Sequence, residues 1–305
     1  MRQWRNSANG ARRTATPAAR GATEMTTSVA SLAQLAVLGS PIAHSRSPRI
    51  HEAAYRVLGL DWAYRAIECG ERELEAFLAE RGSEWLGFSV TMPLKVEAHR
   101  IAFELDEVAR ESGVVNTLVR RELGWYGANT DVAGLAAAIT GAELDVRNAV
   151  VLGSGATAVS AILALRRLGA EHVTVRARNR SAVADLVSRF SRDAPGAGGA
   201  AFVVEAHVDA LRASPTLVVS ALPGQAAATI DVPESLLAVP LFDVAYDPWP
   251  SPLAARWRAA GGTAVAGTEM LVEQALVQVR LFLNGDPDRP LENEAEVLRA
   301  MRAAV

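Results

Sequence analysis

Short apolar runs ending in glycine or a polar turn alternate along this chain with stretches whose apolar residues recur three and four positions apart. Ala36-Val37-Leu38-Gly39 is the first such run and predicts a buried strand. Ile50, Ala53, Ala54, Val57 and Leu58 follow at helical spacing. Ser47 stands where a helix cap belongs, Pro48 suits the first helical position, and Gly59 stops the helix. Residues 62–67 predict a second strand, 71–81 a helix and 85–90 a third strand, with Pro93 opening the next helix. Residues 114–120 and 125–128 predict a hairpin. Order is expected from about Leu32, and strand alternates with helix from there, which implies a mainly parallel, layered α/β unit.

A second unit begins near Asp131, with a helical pattern over 132–139. Asn148-Ala149-Val150-Val151-Leu152 is a buried strand, followed by a glycine turn and a helix that runs to Leu168 and stops at Gly169. Further strands are expected at 172–176, 202–204, 217–219 and 241–244, the rhythm of a doubly wound sheet. Residues 194–201 are rich in Gly and Ala and read as a loop. The helices from Thr268 onward have no strand after them and are expected to pack back on the first unit.

Composition narrows the classes. The chain has 305 residues, half of them hydrophobic, enough for about two domains. A net charge of −3 gives no basic face for nucleic acid and no strong pull toward a membrane surface. No run is apolar for the ~20 residues a bilayer span needs. One cysteine, Cys69, excludes an intrachain disulfide and fits a reducing, cytoplasmic compartment. The five histidines lack metal-ligand spacing, so no metal is expected. Residues 1–30 carry Arg2, Arg5, Arg12, Arg13 and Arg20 among small polar residues. That composition is like a transit peptide, but no apolar stripe is present, so a disordered tail or a start at Met25 is the plainer expectation.

The turn after the 148–152 strand reads G-x-G-x-x-A, with Gly153, Gly155 and Ala158. Between strand and helix this is a dinucleotide signature: Gly153 turns, Gly155 admits a pyrophosphate, and the helix N-terminus attracts it. Ser154, Ala156 and Thr157 complete the loop. An NAD site places an acid after the next strand to bond the ribose. Here Arg176-Ala177-Arg178-Asn179-Arg180-Ser181 stands there instead. Guanidinium and hydroxyl groups at Arg178, Asn179, Arg180 and Ser181 suit a 2′-phosphate, so NADP(H) is expected; the plain alternative is a solvated basic loop.

Three motifs of the first unit carry proton or carboxylate chemistry. Ser45-Arg46-Ser47-Pro48 puts two hydroxyls at a helix N-terminus, either to hold a carboxylate or simply to cap. Ser89-Val90-Thr91-Met92-Pro93-Leu94-Lys95 puts a lysine in a helix first turn, where the dipole repels it. Such a conflict marks either function or an ordinary surface lysine. Asn116-Thr117 is followed by Gly127-Ala128-Asn129-Thr130-Asp131, and Asp131 alone reads as a helix cap as readily as a catalyst.

In this order the motifs resemble the shikimate dehydrogenase family, from about Leu35 to the C-terminus. Asp243-Val244-Ala245-Tyr246-Asp247-Pro248 and Gly267-Thr268-Glu269-Met270-Leu271-Val272-Glu273-Gln274 resemble its nicotinamide and C-terminal segments. The resemblance implies an α/β fold with an N-terminal α/β substrate domain, residues 31–130 and 268–305, and a Rossmann-type doubly wound NADP-binding domain, residues 131–267. It implies reduction of 3-dehydroshikimate to shikimate, with Lys95 and Asp131 as the catalytic pair. Ser45, Ser47 and Tyr246 would hold the substrate carboxylate, and Ser89, Thr91, Asn116 and Gln274 would face the ring. Ser220, Ala221, Val244, Gly267 and Met270 would join the glycine turn around the cofactor. A monomer and a homodimer are both compatible. Two departures stand out: the family commonly has Asn where this chain has Ser89, and the turn reads G-S-G-A-T rather than G-A-G-G-A. The shorter serine puts the exact substrate in question. Quinate or aminoshikimate dehydrogenation, or a non-catalytic sensor, are the other readings; a sensor should have lost Lys95 or Asp131.

Overall fold

The computed structural model describes residues 32–192, 202–206 and 214–305. The Arg-rich stretch 1–30 and the whole of the Gly/Ala-rich stretch 194–201 lie outside the described residues.

Two six-stranded sheets organise the chain. The first contains β1 (Ala33–Gly39), β2 (Trp62–Glu68), β3 (Trp85–Val90), β4 (Glu104–Leu105), β5 (Thr117–Arg121) and β6 (Gly124–Ala128), in the order β2-β1-β3-β5-β6-β4. β1 pairs in parallel with β2 and β3, while β5 runs antiparallel to β3 and forms the expected hairpin with β6. The second contains β7 (Asn148–Leu152), β8 (His172–Arg176), β9 (Val203–Ala206), β10 (Leu217–Ser220), β11 (Leu241–Asp243) and β12 (Ala264–Ala266). Its order is β12-β11-β10-β7-β8-β9, and every pairing is parallel. The strand order reverses between β7 and β10, the position where doubly wound sheets open a ligand crevice.

The C-terminal helices Thr268–Asn284 and Glu294–Ala303 pack on the first sheet: Val272, Ala275, Val279, Val297 and Met301 share one core with Leu35, Val37, Ile50 and Tyr55. The helix Asp131–Gly141 packs against Thr268–Asn284 at Gly134, where an added Cβ would lie 2.6 Å from the Gln274 Cβ. Only glycine allows that approach. Arg166 of the helix Ala156–Arg167 is ion-paired with Glu111 of the helix Glu107–Ser112, which ties the two halves on another side.

Several local expectations are corrected. Ser47 is the first residue of the helix Ser47–Leu58, not its cap; the Ser47 N–H donates to the Ser45 hydroxyl at 3.3 Å. The 71–81 segment is a 3₁₀ turn, Glu71–Glu73, and a short helix, Leu74–Ala79, because the Glu73 carboxylate accepts from Gly70 N–H and tightens the start. Pro93 does not begin a helix. Leu94 N–H donates to the Thr91 carbonyl at 2.8 Å, so residues 91–94 close a turn and the helix starts at Lys95.

Candidate active site

Lys95 and Asp131 meet through two chain reversals. β3 ends at Val90, the 91–94 turn follows, and Lys95 opens the helix Lys95–Ile101. β6 ends at Ala128, and Asp131 opens the helix Asp131–Gly141, whose N-cap is Thr130. Asp131 is therefore not the cap; its carboxylate stands free of that task beside the helix N-terminus, which favours an anion. Lys95 Nζ donates to Asp131 Oδ2 at 2.5 Å, with the two side chains 13% and 7% exposed. The opposite charge at that distance answers the local conflict of a lysine in a first helical turn. Asp131 Oδ1 accepts from Asn116 Nδ2 at 2.8 Å, and Asp131 N–H donates to Asn129 Oδ1.

The Asn116 amide has a fixed sense. Its Oδ1 accepts from the backbone N–H of Thr130 at 2.9 Å, so its nitrogen must face Asp131. The same nitrogen reaches Gln274 Oε1 at 3.2 Å. Asn116 thus holds the Asp131 carboxylate directly, besides lining the cavity.

A cavity of about 270 Å³ opens on this pair. Its wall contains Lys95, Asp131, Ser45, Ser47, Ser89, Thr91, Asn116, Tyr246 and Gln274, every catalytic and substrate residue expected from the sequence. Val244, Gly267 and Met270, expected near the cofactor, also line this cavity. Gly267 is required there, since an added Cβ would meet the Val244 carbonyl oxygen at 2.2 Å. At the rim, the Arg46 guanidinium lies 5.7 Å from the Tyr246 ring centroid and 3.8 Å from the Asp247 carboxylate. Burial pushes the Tyr246 phenol up, so it stays a hydrogen-bond donor.

Beneath Ser89 lies a polar cluster that sequence reasoning missed. Gln278 lines the cavity, while Tyr64 and His51 stand behind it. Tyr64 donates to Ser89 Oγ at 2.5 Å, and Ser89 donates to Gln278 Oε1 at 2.6 Å. His51 stacks on Tyr64 at 4.0 Å, and burial lowers its pKa to about 3, so it is neutral. A signal existed: Gln274 and Gln278 are four residues apart and so share one face of their helix, and both are buried.

A second cavity, about 890 Å³, adjoins the first. Gly153, Ser154, Gly155, Ala156, Thr157, Arg178, Asn179 and Ala221 line one side, and Thr91, Met92, Pro93, Lys95 and Val96 the other. Gly153 has φ +122°, and a Cβ there would sit 3.3 Å from the Ala221 carbonyl, so the turn needs glycine. Gly155 caps the helix Ala156–Arg167, and nothing lies within 4 Å of where its Cβ would be, which leaves backbone N–H groups open to the cavity. Past β8, Asn179 Oδ1 accepts from Ala182 N–H at 3.1 Å and starts the helix Arg180–Arg192. Arg178, Arg180 and Ser181 surround that start, exposed and without an acid among them. The volume, the glycine cradle and the basic strand end fit a dinucleotide carrying an extra phosphate. Arg180 and Ser181 lie beyond the cavity wall, in reach of solvent. Ser220 is corrected: it is fully buried between β7 and β11, and its neighbour Ala221 reaches the wall instead. Thr91, Met92, Lys95 and Thr157 belong to both cavities.

Comparison with known proteins accords with this geometry. Residues 37–118 match the family described as the shikimate dehydrogenase substrate binding domain. The shikimate dehydrogenase (NADP(+)) of Hyphomonas neptunium is 35% identical over 263 residues, covering 83% of this chain and 93% of that protein. The crystal structure of Mycobacterium tuberculosis shikimate dehydrogenase superposes with a TM-score of 0.75 at 41% identity, over 89% of this chain and 99% of that one. The Thermus thermophilus enzyme, solved in complex with NADP(H) and shikimate, gives 0.74 at 27% identity, over 90% and 100%. With these relatives matched along almost their whole length, and with the glycine turn and the Lys95–Asp131 pair in place, this chain belongs to the shikimate dehydrogenase family.

Proposed function

We propose that this chain catalyses the reversible, NADPH-dependent reduction of 3-dehydroshikimate to shikimate, on the route to chorismate and the aromatic amino acids. The observation that carries the reading is Lys95, paired to Asp131 at 2.5 Å and standing on the walls of both cavities. When bound, the reduced nicotinamide supplies a hydride. The chain's own groups manage the charge and the proton. As negative charge grows on the substrate carbonyl oxygen, the Lys95 ammonium stabilises it and donates a proton. Asp131 holds that ammonium in place, and in the oxidative direction the pair takes the hydroxyl proton back.

The remaining walls divide the substrate between them. Ser45, Ser47 and Tyr246 offer donors for its carboxylate at the N-terminus of the helix Ser47–Leu58. Thr91, Asn116 and Gln274 face the ring, with Ser89 beside them. Gly153 to Thr157 receive the pyrophosphate, and Arg178, Asn179, Arg180 and Ser181 the 2′-phosphate. Residues 31–130 with 268–305 form the substrate half and 131–267 the cofactor half; the separate sheets and cores support this division. Among the described residues no helix is long and apolar enough to cross a membrane. The single cysteine supports a cytoplasmic setting. NADPH oxidation by the purified chain tests the reading: 3-dehydroshikimate should be reduced and 3-dehydroquinate should not, and activity with neither overturns it.

A further inference from the structure

Ser89 has one proton to give and two lone pairs to offer. The structure accounts for the proton and for one lone pair. Gln278 is the anchor: its Nε2 donates to the Asn116 backbone carbonyl at 3.3 Å and to Thr117 Oγ1 at 2.9 Å. A carbonyl only accepts, so the nitrogen of this amide faces Asn116 and its oxygen faces Ser89. Ser89 must therefore donate to Gln278 Oε1, at 2.6 Å. Tyr64 donates to Ser89 from the other side, at 2.5 Å. Neutral His51 completes the setting, with Nε2 3.2 Å from the same Gln278 oxygen and Nδ1 3.2 Å from the Tyr55 hydroxyl. The sense continues onward: Thr117 Oγ1 donates to Asn116 Oδ1, and Asn116 Nδ2 donates to Asp131. Every donor from Tyr64 to the catalytic carboxylate points the same way.

We propose that Ser89 is a specificity-determining residue that Tyr64 and Gln278 lock as an acceptor only, so that the cavity selects a ring hydroxyl able to donate to it. This rests on the functional reading above. A carbonyl, an ether or a bare methylene at that place on the ring leaves the last lone pair of a buried hydroxyl without a donor, which a site built for a hydroxyl penalises. Tyr64 and Gln278 are positioning residues: they act on substrate choice through Ser89.

The test measures kcat/KM with NADP⁺ for shikimate, 4-deoxyshikimate and 5-deoxyshikimate, which lack one or other non-reacting hydroxyl. The unsubstituted enzyme should prefer shikimate over one of the two analogues by roughly tenfold, the weight of a hydrogen bond plus an unpaired partner. Ser89→Ala should abolish that preference, mainly through KM. Tyr64→Phe should weaken it in the parent and change nothing further when added to Ser89→Ala. If Ser89→Ala keeps its preference against both analogues, or Tyr64→Phe lowers all three substrates equally, the proposal is overturned while the functional reading stands. Inactivity of the unsubstituted enzyme on shikimate itself overturns both.

Discussion

At the scale of single residues, two side chains decide how this protein responds to change. Lys95 touches the reacting oxygen in the proposed mechanism, so Lys95→Ala should lower kcat by about 10²–10⁴-fold while KM moves little. A raised KM with kcat intact would make Lys95 a substrate clamp. His51 contributes to acid sensitivity. Burial lowers its pKa from an ordinary 6.5 to about 3, so below pH 6.5 the unfolded chain takes up a proton that the folded chain refuses. Its contribution is complete above pH 6.5 and is lost as pH falls toward 3, amounting to about 2 kcal/mol at pH 5. Urea titrations at pH 7.5 and pH 5 should show that loss in the parent and a shallower dependence in His51→Gln. Lys95 and Asp131 were legible in the sequence because their motifs are contiguous. Tyr64, Ser89 and Gln278 act together only after β2, β3 and the helix Thr268–Asn284 converge, through hydrogen bonds that span 25 and 189 residues of sequence. The spacing of Gln274 and Gln278 marks one member of the cluster, but no local pattern places Tyr64 and Ser89 beside it.

At the scale of elements, close backbone approach carries the site. Gly134→Ala would push a Cβ against the Gln274 backbone N at 2.7 Å, where nothing flexible can yield. Overpacking of this kind costs about 1–3 kcal/mol. The melting temperature should fall, and KM for 3-dehydroshikimate should rise more than KM for NADPH, because Gln274 faces the substrate cavity. Replacing Arg178 and Arg180 together should do the reverse: KM for NADPH should rise about tenfold or more, the weight of lost charged hydrogen bonds, with NADH little affected. Equal loss with both cofactors would remove the phosphate assignment. Long strands and helices such as β7 and Ala156–Arg167 could be read from periodicity alone. Their ends could not, because the 91–94 turn and the 3₁₀ turn at Glu71–Glu73 are settled by single hydrogen bonds. The two-residue strand β4 is too short for any period to register.

At the scale of the whole molecule, the larger cavity takes its walls from both sheets' connecting segments. A ligand seated there holds the halves together, so NADPH at a hundred times its dissociation constant should add about 2.7 kcal/mol of stability to the entire chain. Calorimetry should show one transition moving upward with NADPH and further with shikimate. If only part of the unfolding heat moved, the cofactor would be held by one half. The alternation of strand and helix foretold the two layered sheets, and the lack of a strand after Thr268 foretold that the last helices pack back on the first of them.

The wall shared by the two cavities has a stereochemical consequence. A planar ketone in the smaller cavity has two faces, and attack on one gives the mirror-image centre of attack on the other. Thr91, Met92, Lys95 and Thr157 line both cavities, so a ketone seated in the smaller one would meet a nicotinamide in the larger one from a single side. The handedness of the new alcohol is therefore written in the side-by-side placement of the cavities, and variants that slow the reaction a thousandfold should still yield one epimer.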